Sequence, residues 1–256
     1  MGLFDGKKGL VFGVANDRSI ATAISLALHR EGAEIGYTHL PGDKSQNRVR
    51  KAIETTNPKF LLSCDVQKDD ELDAVFAAAK AQFGTLDFLV HSVAFANRED
   101  LQRPYTQASR AGWLQSMEIS AYSLVAMTRR AAELMPHGGT IVTLTYFGGE
   151  KVMPGYNLMG ICKAALEHSV RYLAYDLGPK NIRVNALSAG PMKTLASAGI
   201  SDFEEMQERQ AMKASLKRNV TFEELGTTGL YLLSHLSGGV TGETIHVDAG
   251  FSIVGI

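Results

Sequence analysis

The chain is short of cysteine, has one tryptophan and carries no surplus of either charge, and each shortage removes a class of function. Its 256 residues contain two cysteines, Cys64 and Cys162. Two thiols build no disulfide framework, and both sit in apolar patterns where a free cysteine acts as a small buried hydrophobe. Seven histidines are present, none at metal-ligand spacing from a cysteine or carboxylate, so no metal site is expected. Lys and Arg total 26 against 27 Asp and Glu, a formal net charge of −1. Without a basic surplus or a basic run, no nucleic acid or anionic membrane surface is expected as a partner. No apolar run approaches the ~18 residues at which a segment begins to span a bilayer. Met1-Gly2-Leu3-Phe4-Asp5-Gly6-Lys7-Lys8 has no charged-then-apolar leader, and Gly6 stands where a myristoylation signal needs Ser or Thr. The expected compartment is cytoplasmic, or an organelle interior if a transit segment has been trimmed. The sequon Asn219-Val220-Thr221 is then a chance match.

What is present is ample material for a core: 45% of residues are hydrophobic and 21% charged, an ordinary globular balance. Short apolar strands alternate with longer amphipathic helices. Strands are expected at 8–13, 34–38, 59–64, 86–91, 139–144, 182–187 and 244–247. Helices are expected from Ser19, where Ile20, Ala23, Ile24, Ala27 and Leu28 follow helical spacing, and at 69–83, 107–135, 156–177 and 221–234. Such alternation gives parallel strands joined by right-handed crossovers. The expected fold is therefore α/β: one doubly wound Rossmann-type domain over 1–256, a seven-stranded parallel sheet with helices on both faces. The segment from about 189 to 214 breaks the alternation and turns helical after Ser201; a long insertion after a strand's carboxyl end usually covers a site.

Ligands of doubly wound sheets bind beyond the carboxyl ends of the strands, where strand order reverses. Gly13-Val14-Ala15-Asn16-Asp17-Arg18-Ser19-Ile20-Ala21 falls there, a small turn running into a helix whose free N–H groups and positive dipole end suit a pyrophosphate. Only Gly13 of the usual glycines is present, with Ala15, Ser19 and Ala21 as small partners. After the second strand no carboxylate stands where the adenosine ribose hydroxyls are normally held. Asp43 lies too far along, and Lys44 and Arg48 face either a 2′-phosphate or solvent. Cys64-Asp65-Val66 offers a carboxylate for the adenine amino group and an apolar edge for its ring; alternatively Asp65 caps a turn. In His91-Ser92-Val93-Ala94-Phe95-Ala96 the small residues allow a cofactor ribose to approach closely, and His91 is read as structural.

Tyr156 and Lys163 are the most informative pair. Seven positions make almost two helical turns, which puts both side chains on one face, roughly 10 Å apart along the axis. A lysine that hydrogen-bonds a nicotinamide ribose also places positive charge near the phenol, favouring donation to an oxygen that becomes negative. Hydride delivered to the β-carbon of a conjugated thioester creates such an oxygen. Tyr146, ending the fifth strand, is expected in the same cleft.

On these residues the chain resembles the bacterial enoyl-acyl carrier protein reductases, a divergent branch of the short-chain dehydrogenase/reductase superfamily. The resemblance runs from Gly13-Val14-Ala15-Asn16 to Val247-Asp248-Ala249-Gly250-Phe251-Ser252-Ile253. Its most specific stretches are Tyr146-Phe147-Gly148-Gly149-Glu150, Tyr156-Asn157-Leu158-Met159-Gly160 closing at Lys163, and Ala189-Gly190-Pro191-Met192-Lys193-Thr194-Leu195-Ala196. Ordinary members of the superfamily space the pair as Tyr-x3-Lys, which would require tyrosine at position 159, where this chain has Met159. The resemblance implies NAD(P)H-dependent reduction of the trans-2 double bond of an acyl carrier protein thioester in fatty-acid elongation. It implies that Tyr156 donates to the enolate, that Lys163 holds the ribose, and that Tyr146 is a second active-site tyrosine. It also implies cofactor contacts at Gly13, Ser19, Ile20, Asp65, Val66 and Val93 and at Met192, Lys193, Thr194, Leu195 and Ala196. Ala96 would touch the substrate through its backbone, and Met159, Leu195, Ala196, Ile200 and Phe203 would line the acyl pocket under a substrate-binding loop. A homotetramer is implied as well. Leu40, where NADH-using relatives often carry glutamine and NADPH-using ones a basic residue, leans towards NADH with NADPH left open. Ser201-Asp202-Phe203-Glu204-Glu205 is acidic where several relatives present basic residues to the acidic carrier. Docking has therefore either moved, to Lys213, Lys217 and Arg218, or takes another form.

Overall fold

A computed structural model describes residues 2–195 and 203–255. Seven strands form one all-parallel sheet: β1 (Lys8–Phe12), β2 (Glu34–His39), β3 (Phe60–Ser63), β4 (Phe88–His91), β5 (Gly139–Thr145), β6 (Ile182–Ala189) and β7 (Thr244–Val247). Their order is β3-β2-β1-β4-β5-β6-β7. The sequence runs outward from β1 to β3, returns past β1 to β4 and continues to the other edge, the doubly wound arrangement expected from the alternation.

Nine helices occur among the described residues: α1 (Ile20–Arg30), α2 (Asp43–Ile53), α3 (Asp69–Phe83), α4 (Arg98–Gln102), α5 (Arg110–Met117), α6 (Ser123–Glu133), α7 (Asn157–Leu177), α8 (Phe203–Lys213) and α9 (Phe222–Leu233). Successive strand residues point to opposite faces, and the two faces make two cores. Val11, Ile35, Val90 and Val142 pack with Ile24 and Leu28 of α1 and Leu225 and Leu232 of α9. Leu10, Phe12, Leu89 and Ile141 pack with Val75 and Phe76 of α3, Leu124 and Met127 of α6, and Leu166 and Val170 of α7. Burial on both faces is why the strands read as unbroken apolar runs.

Two helical expectations need correction. The stretch 107–135 is not one helix: a short 3₁₀ turn (Tyr105–Gln107) precedes α5, and a π turn over Glu118–Tyr122 separates α5 from α6. The π turn takes up an extra residue, so the stripes on its two sides fall on different faces. The helix expected to begin at Tyr156 begins at Asn157, with Tyr156 as its cap residue. α2 escaped notice because it buries only Val49 and Ile53, too little to set an apolar period. Among the described residues no helix is long and apolar enough to cross a membrane, and no cluster of His, Cys, Asp or Glu is arranged to hold a metal.

Candidate active site

A cavity of about 630 Å³ opens at the carboxyl ends of β1 and β4, where the strand order reverses. Its floor is the turn after β1. Gly13 has a φ of +94°, and a Cβ there would stand 1.9 Å from the carbonyl oxygen of Ser92. Glycine is thus required twice over, by conformation and by the approach of the β4 turn. The Ser19 hydroxyl accepts from the N–H groups of Ala15 and Asn16, each at 3.0 Å, and holds the turn closed. α1 starts at the wall, with Ile20 lining the cavity, and the first N–H groups of a helix have no intrahelical acceptor. This cradle fits a pyrophosphate.

At the end of β2 the wall is made by Thr38, His39 and Leu40, and from α2 by Ser45 and Arg48, whereas Asp43 and Lys44 stay outside it. Asp65 and Val66 line the cavity after β3. Asp65 Oδ1 also accepts the Gln67 N–H at 3.1 Å, so the carboxylate caps its turn while facing the cavity. Val93 and Ala96 form the wall after β4. His91 stays out of the cavity: its ring nitrogens lie 2.8 Å from Thr143 Oγ1 and 2.8 Å from Ser123 Oγ. Burial, helped by the Lys163 charge, pushes its pKa down to about 3. His91 is therefore a neutral core residue.

The opposite wall holds the Tyr/Lys pair, and Tyr146, Tyr156, Met159 and Lys163 all line the one cavity. The two tyrosine rings meet edge to face, centroids 4.9 Å apart at 73°. Burial raises both phenols, Tyr146 to about 12 with help from the Asp248 charge, and Tyr156 further, with Tyr146 as the next cause. Both are hydrogen-bond donors at neutral pH. Lys163 is buried, donates from Nζ to the Leu144 carbonyl at 2.7 Å, and is pushed down to about 8 by burial. The six-residue spacing thus delivers both groups to one space.

The glycines that follow Tyr146 have a packing reason that spacing alone did not reveal. A Cβ at Gly148 would come within 2.4 Å of the Tyr156 ring, and one at Gly160 within 2.7 Å of the Gly148 carbonyl. The turn after β5 therefore lies flat on α7 and holds the Tyr156 ring from behind. Residues not singled out from the sequence also shape the cavity. Ser120, in the π turn, accepts the Phe95 N–H at 2.9 Å and donates to the Phe95 carbonyl at 3.1 Å. Met206 of α8 lines the cavity and lies 4.0 Å from the Tyr146 hydroxyl. No local period marks either one. Met192, Thr194, Leu195 and Phe203 close the mouth, while Lys193 is turned outward in an ion pair with Glu204. The expected contacts at Ala196 and Ile200 lie outside the described residues.

A model of the family described as "Enoyl-(Acyl carrier protein) reductase" matches residues 13–252. The chain belongs to the enoyl-acyl carrier protein reductase family. An enoyl-[acyl-carrier-protein] reductase [NADH] of Rhizobium meliloti is 50% identical over 255 residues, covering 100% of this chain and 93% of the relative. That of a Synechocystis strain is 49% identical, covering 98% of each. The Bacillus cereus reductase, solved with NADP+ and an indole naphthyridinone, superposes with a TM-score of 0.97 at 46% identity, covering 100% of both chains. The Anaplasma phagocytophilum reductase, solved with NAD, gives 0.95 at 47%, covering 100% of this chain and 97% of that one.

Within this reductase family chain, Met159 occupies the position that ordinary dehydrogenases of the superfamily give to tyrosine. It is buried, its sulfur 3.9 Å from the Ser120 hydroxyl. The acidic start of α8 is neutralised in place, Glu204 by Lys193 and Glu205 by Arg209.

Proposed function

We propose that the chain reduces the trans-2 double bond of enoyl-acyl carrier protein thioesters with NADH, as the enoyl reductase of fatty-acid elongation. The observation that carries this reading is the delivery of Tyr156 and Lys163 into the cavity that begins at the Gly13 turn. Bound NADH supplies the hydride that goes to C3 of the enoyl group. The Gly13 turn and the start of α1 receive the dinucleotide pyrophosphate, and Asp65 and Val66 flank the adenine. Lys163, anchored on the Leu144 carbonyl, presents its remaining N–H donors to the nicotinamide ribose. The thioester oxygen gains negative charge as C3 accepts hydride, the Tyr156 phenol, still protonated, donates to it, and a proton taken up from solvent at C2 converts the enolate to the saturated thioester. The Ala96 backbone contacts the substrate, and Met159, Leu195 and Phe203 form the apolar lining for the acyl chain.

The deciding measurement is loss of absorbance at 340 nm with crotonyl-coenzyme A, run in parallel with NADH and NADPH. Oxidation of NADH supports the reading; cofactor binding without turnover of either this thioester or its carrier-bound form overturns it.

The substrate arrives on acyl carrier protein in the cytoplasm. We place carrier docking at the carboxyl end of α8, where the exposed apolar residues Met212 and Leu216 stand beside Lys213 and Lys217, a match for an acidic helical partner. Arg218 contributes less, being paired with Glu224 through both terminal guanidinium nitrogens. Replacing Lys213 and Lys217 with alanine is expected to raise KM for carrier-bound substrate about tenfold and leave KM for crotonyl-coenzyme A unchanged. Equal effects on both substrates count against this surface.

The protein assembles as a homotetramer in this reading. Ile161, Tyr172 and Tyr175 lie on the exposed side of α7, Tyr172 at 65% and Tyr175 at 84% exposure, with Leu114 and Tyr122 also exposed. A stripe of that kind on a long helix suits pairing with a second copy across a two-fold axis. Sedimentation equilibrium is expected to give four chains per particle in the parent and fewer for the double variant Tyr172→Glu/Tyr175→Glu; a parent that runs as a monomer overturns the assembly.

A further inference from the structure

The residue after Tyr156 is held in a conformation that side chains rarely adopt. Asn157, the first residue of α7, has a φ of +37°. Left-handed backbone is tolerated by asparagine better than by most residues, and such outliers persist only where the surroundings over-determine them. Here they do. The Asn157 side-chain amide donates to the carbonyl of Leu101 at 2.7 Å and to that of Arg103 at 2.8 Å. Both acceptors are main-chain oxygens, so only the NH2 end of the amide can make these bonds. They lie at the carboxyl end of α4, whose last carbonyls have no partner within the helix. Asn157 therefore caps one element with its side chain while starting another with its backbone.

The segment it grips is the wall facing Tyr156. Phe95 and Ala96 line the cavity and lead into α4. Phe95 is fixed from one side by both hydrogen bonds of Ser120. Within α4, buried Asp100 accepts the Ser109 N–H at 2.8 Å and the Ser109 hydroxyl at 2.9 Å, which ties the stretch 100–109 back onto the helix. Ser120 thus holds the start of the wall and Asn157 its end.

We propose that Asn157 is a positioning residue for the reduction. Its left-handed backbone aims the Tyr156 phenol into the cavity, and its amide sets the separation between that phenol and the Phe95–Ala96 wall. It acts on the thioester oxygen only through Tyr156, so it governs turnover and not cofactor affinity. This inference rests on the reading of Tyr156 as the donor to the substrate oxygen.

Two variants leave the positive φ accessible and remove the amide clamp, one without a side chain and one with a side chain of the same size. Asn157→Gly accepts the positive φ freely and loses the clamp. Asn157→Asp keeps the side-chain size and sets a carboxylate against two carbonyls. Each is compared with the parent for kcat with crotonyl-coenzyme A and for NADH dissociation constant by fluorescence titration, then repeated in a Tyr156→Phe background. The expected result is a kcat lowered at least about tenfold by either change, since small misplacements of a reacting group cost up to about 100-fold. The NADH dissociation constant stays within about twofold. In the Tyr156→Phe background the same changes have less than about a twofold further effect, because residues acting as a unit are not additive. An equal loss in both backgrounds, an equal loss of NADH affinity, or unchanged kcat overturns the proposal. If the parent itself fails to reduce any enoyl thioester, the functional reading falls and this inference with it; a turning-over parent with indifferent variants removes only the role of Asn157.

Discussion

Tyr156→Phe is expected to lower kcat for crotonyl-coenzyme A reduction about 100- to 1,000-fold, the usual cost of removing one donor to a developing oxyanion. The substitution is nearly silent in packing. Phenylalanine keeps the edge-to-face contact with Tyr146 at 4.9 Å and still fills the space that Gly148 leaves for the ring. Only the hydroxyl is lost. NADH affinity measured by fluorescence titration should therefore be unchanged, and a dissociation constant that rises as much as kcat falls would refute the donor role.

The second large effect is expected at Lys163. Lys163→Met retains the buried stem and removes a charge-assisted set of hydrogen bonds, so the NADH dissociation constant should rise about 10- to 100-fold. The pH dependence gives an independent check. Burial holds Lys163 at about 8 instead of 10.5. Between these values the folded, cofactor-free protein has given up a proton that the unfolded chain still binds. Stability should then increase with pH across that window, and Lys163→Met should lack the increase. NADH affinity of the parent should weaken as pH rises through 8, because the ammonium becomes a neutral amine with one donor fewer. A flat affinity profile in the parent, or the same slope in the variant, would remove Lys163 from the cofactor site.

The sheet was legible because strands buried on both faces leave contiguous apolar runs, and all seven are found within a few residues of where the sequence places them. The Tyr156–Lys163 relation was legible in its outcome, since both line one cavity, but not in its cause: Tyr156 precedes α7 and joins it through the left-handed backbone of Asn157. What could not be read depends on contacts between distant segments. α2 is mostly polar and follows no stripe. The π turn at 118–122 has no local sequence mark. Asn157 looks like any polar helix start until its amide is seen to reach residues more than fifty positions away. The glycines at 148 and 160 acquire meaning only once the Tyr156 ring is in place between their segments. Lys193, grouped with the cofactor contacts by resemblance, turns instead to Glu204, a pairing set by where α8 returns.

The π turn also limits how this chain can be redesigned. Removing one residue from 118–122 would regularise the α5–α6 stretch, a change that helix-optimising protocols would favour for stability. Each residue of a regular helix advances by about 100°, so such a deletion would rotate α5 relative to α6 by that amount. With Leu124 and Met127 locked in the core, the rotation would fall on Gln115 and Ile119, which line the cavity, and on Ser120, which holds Phe95. A thermostable variant built by idealising this helix would thus be a stable protein with a closed cleft. Stabilising substitutions belong instead on the outer side of α3, none of whose residues lines the cavity.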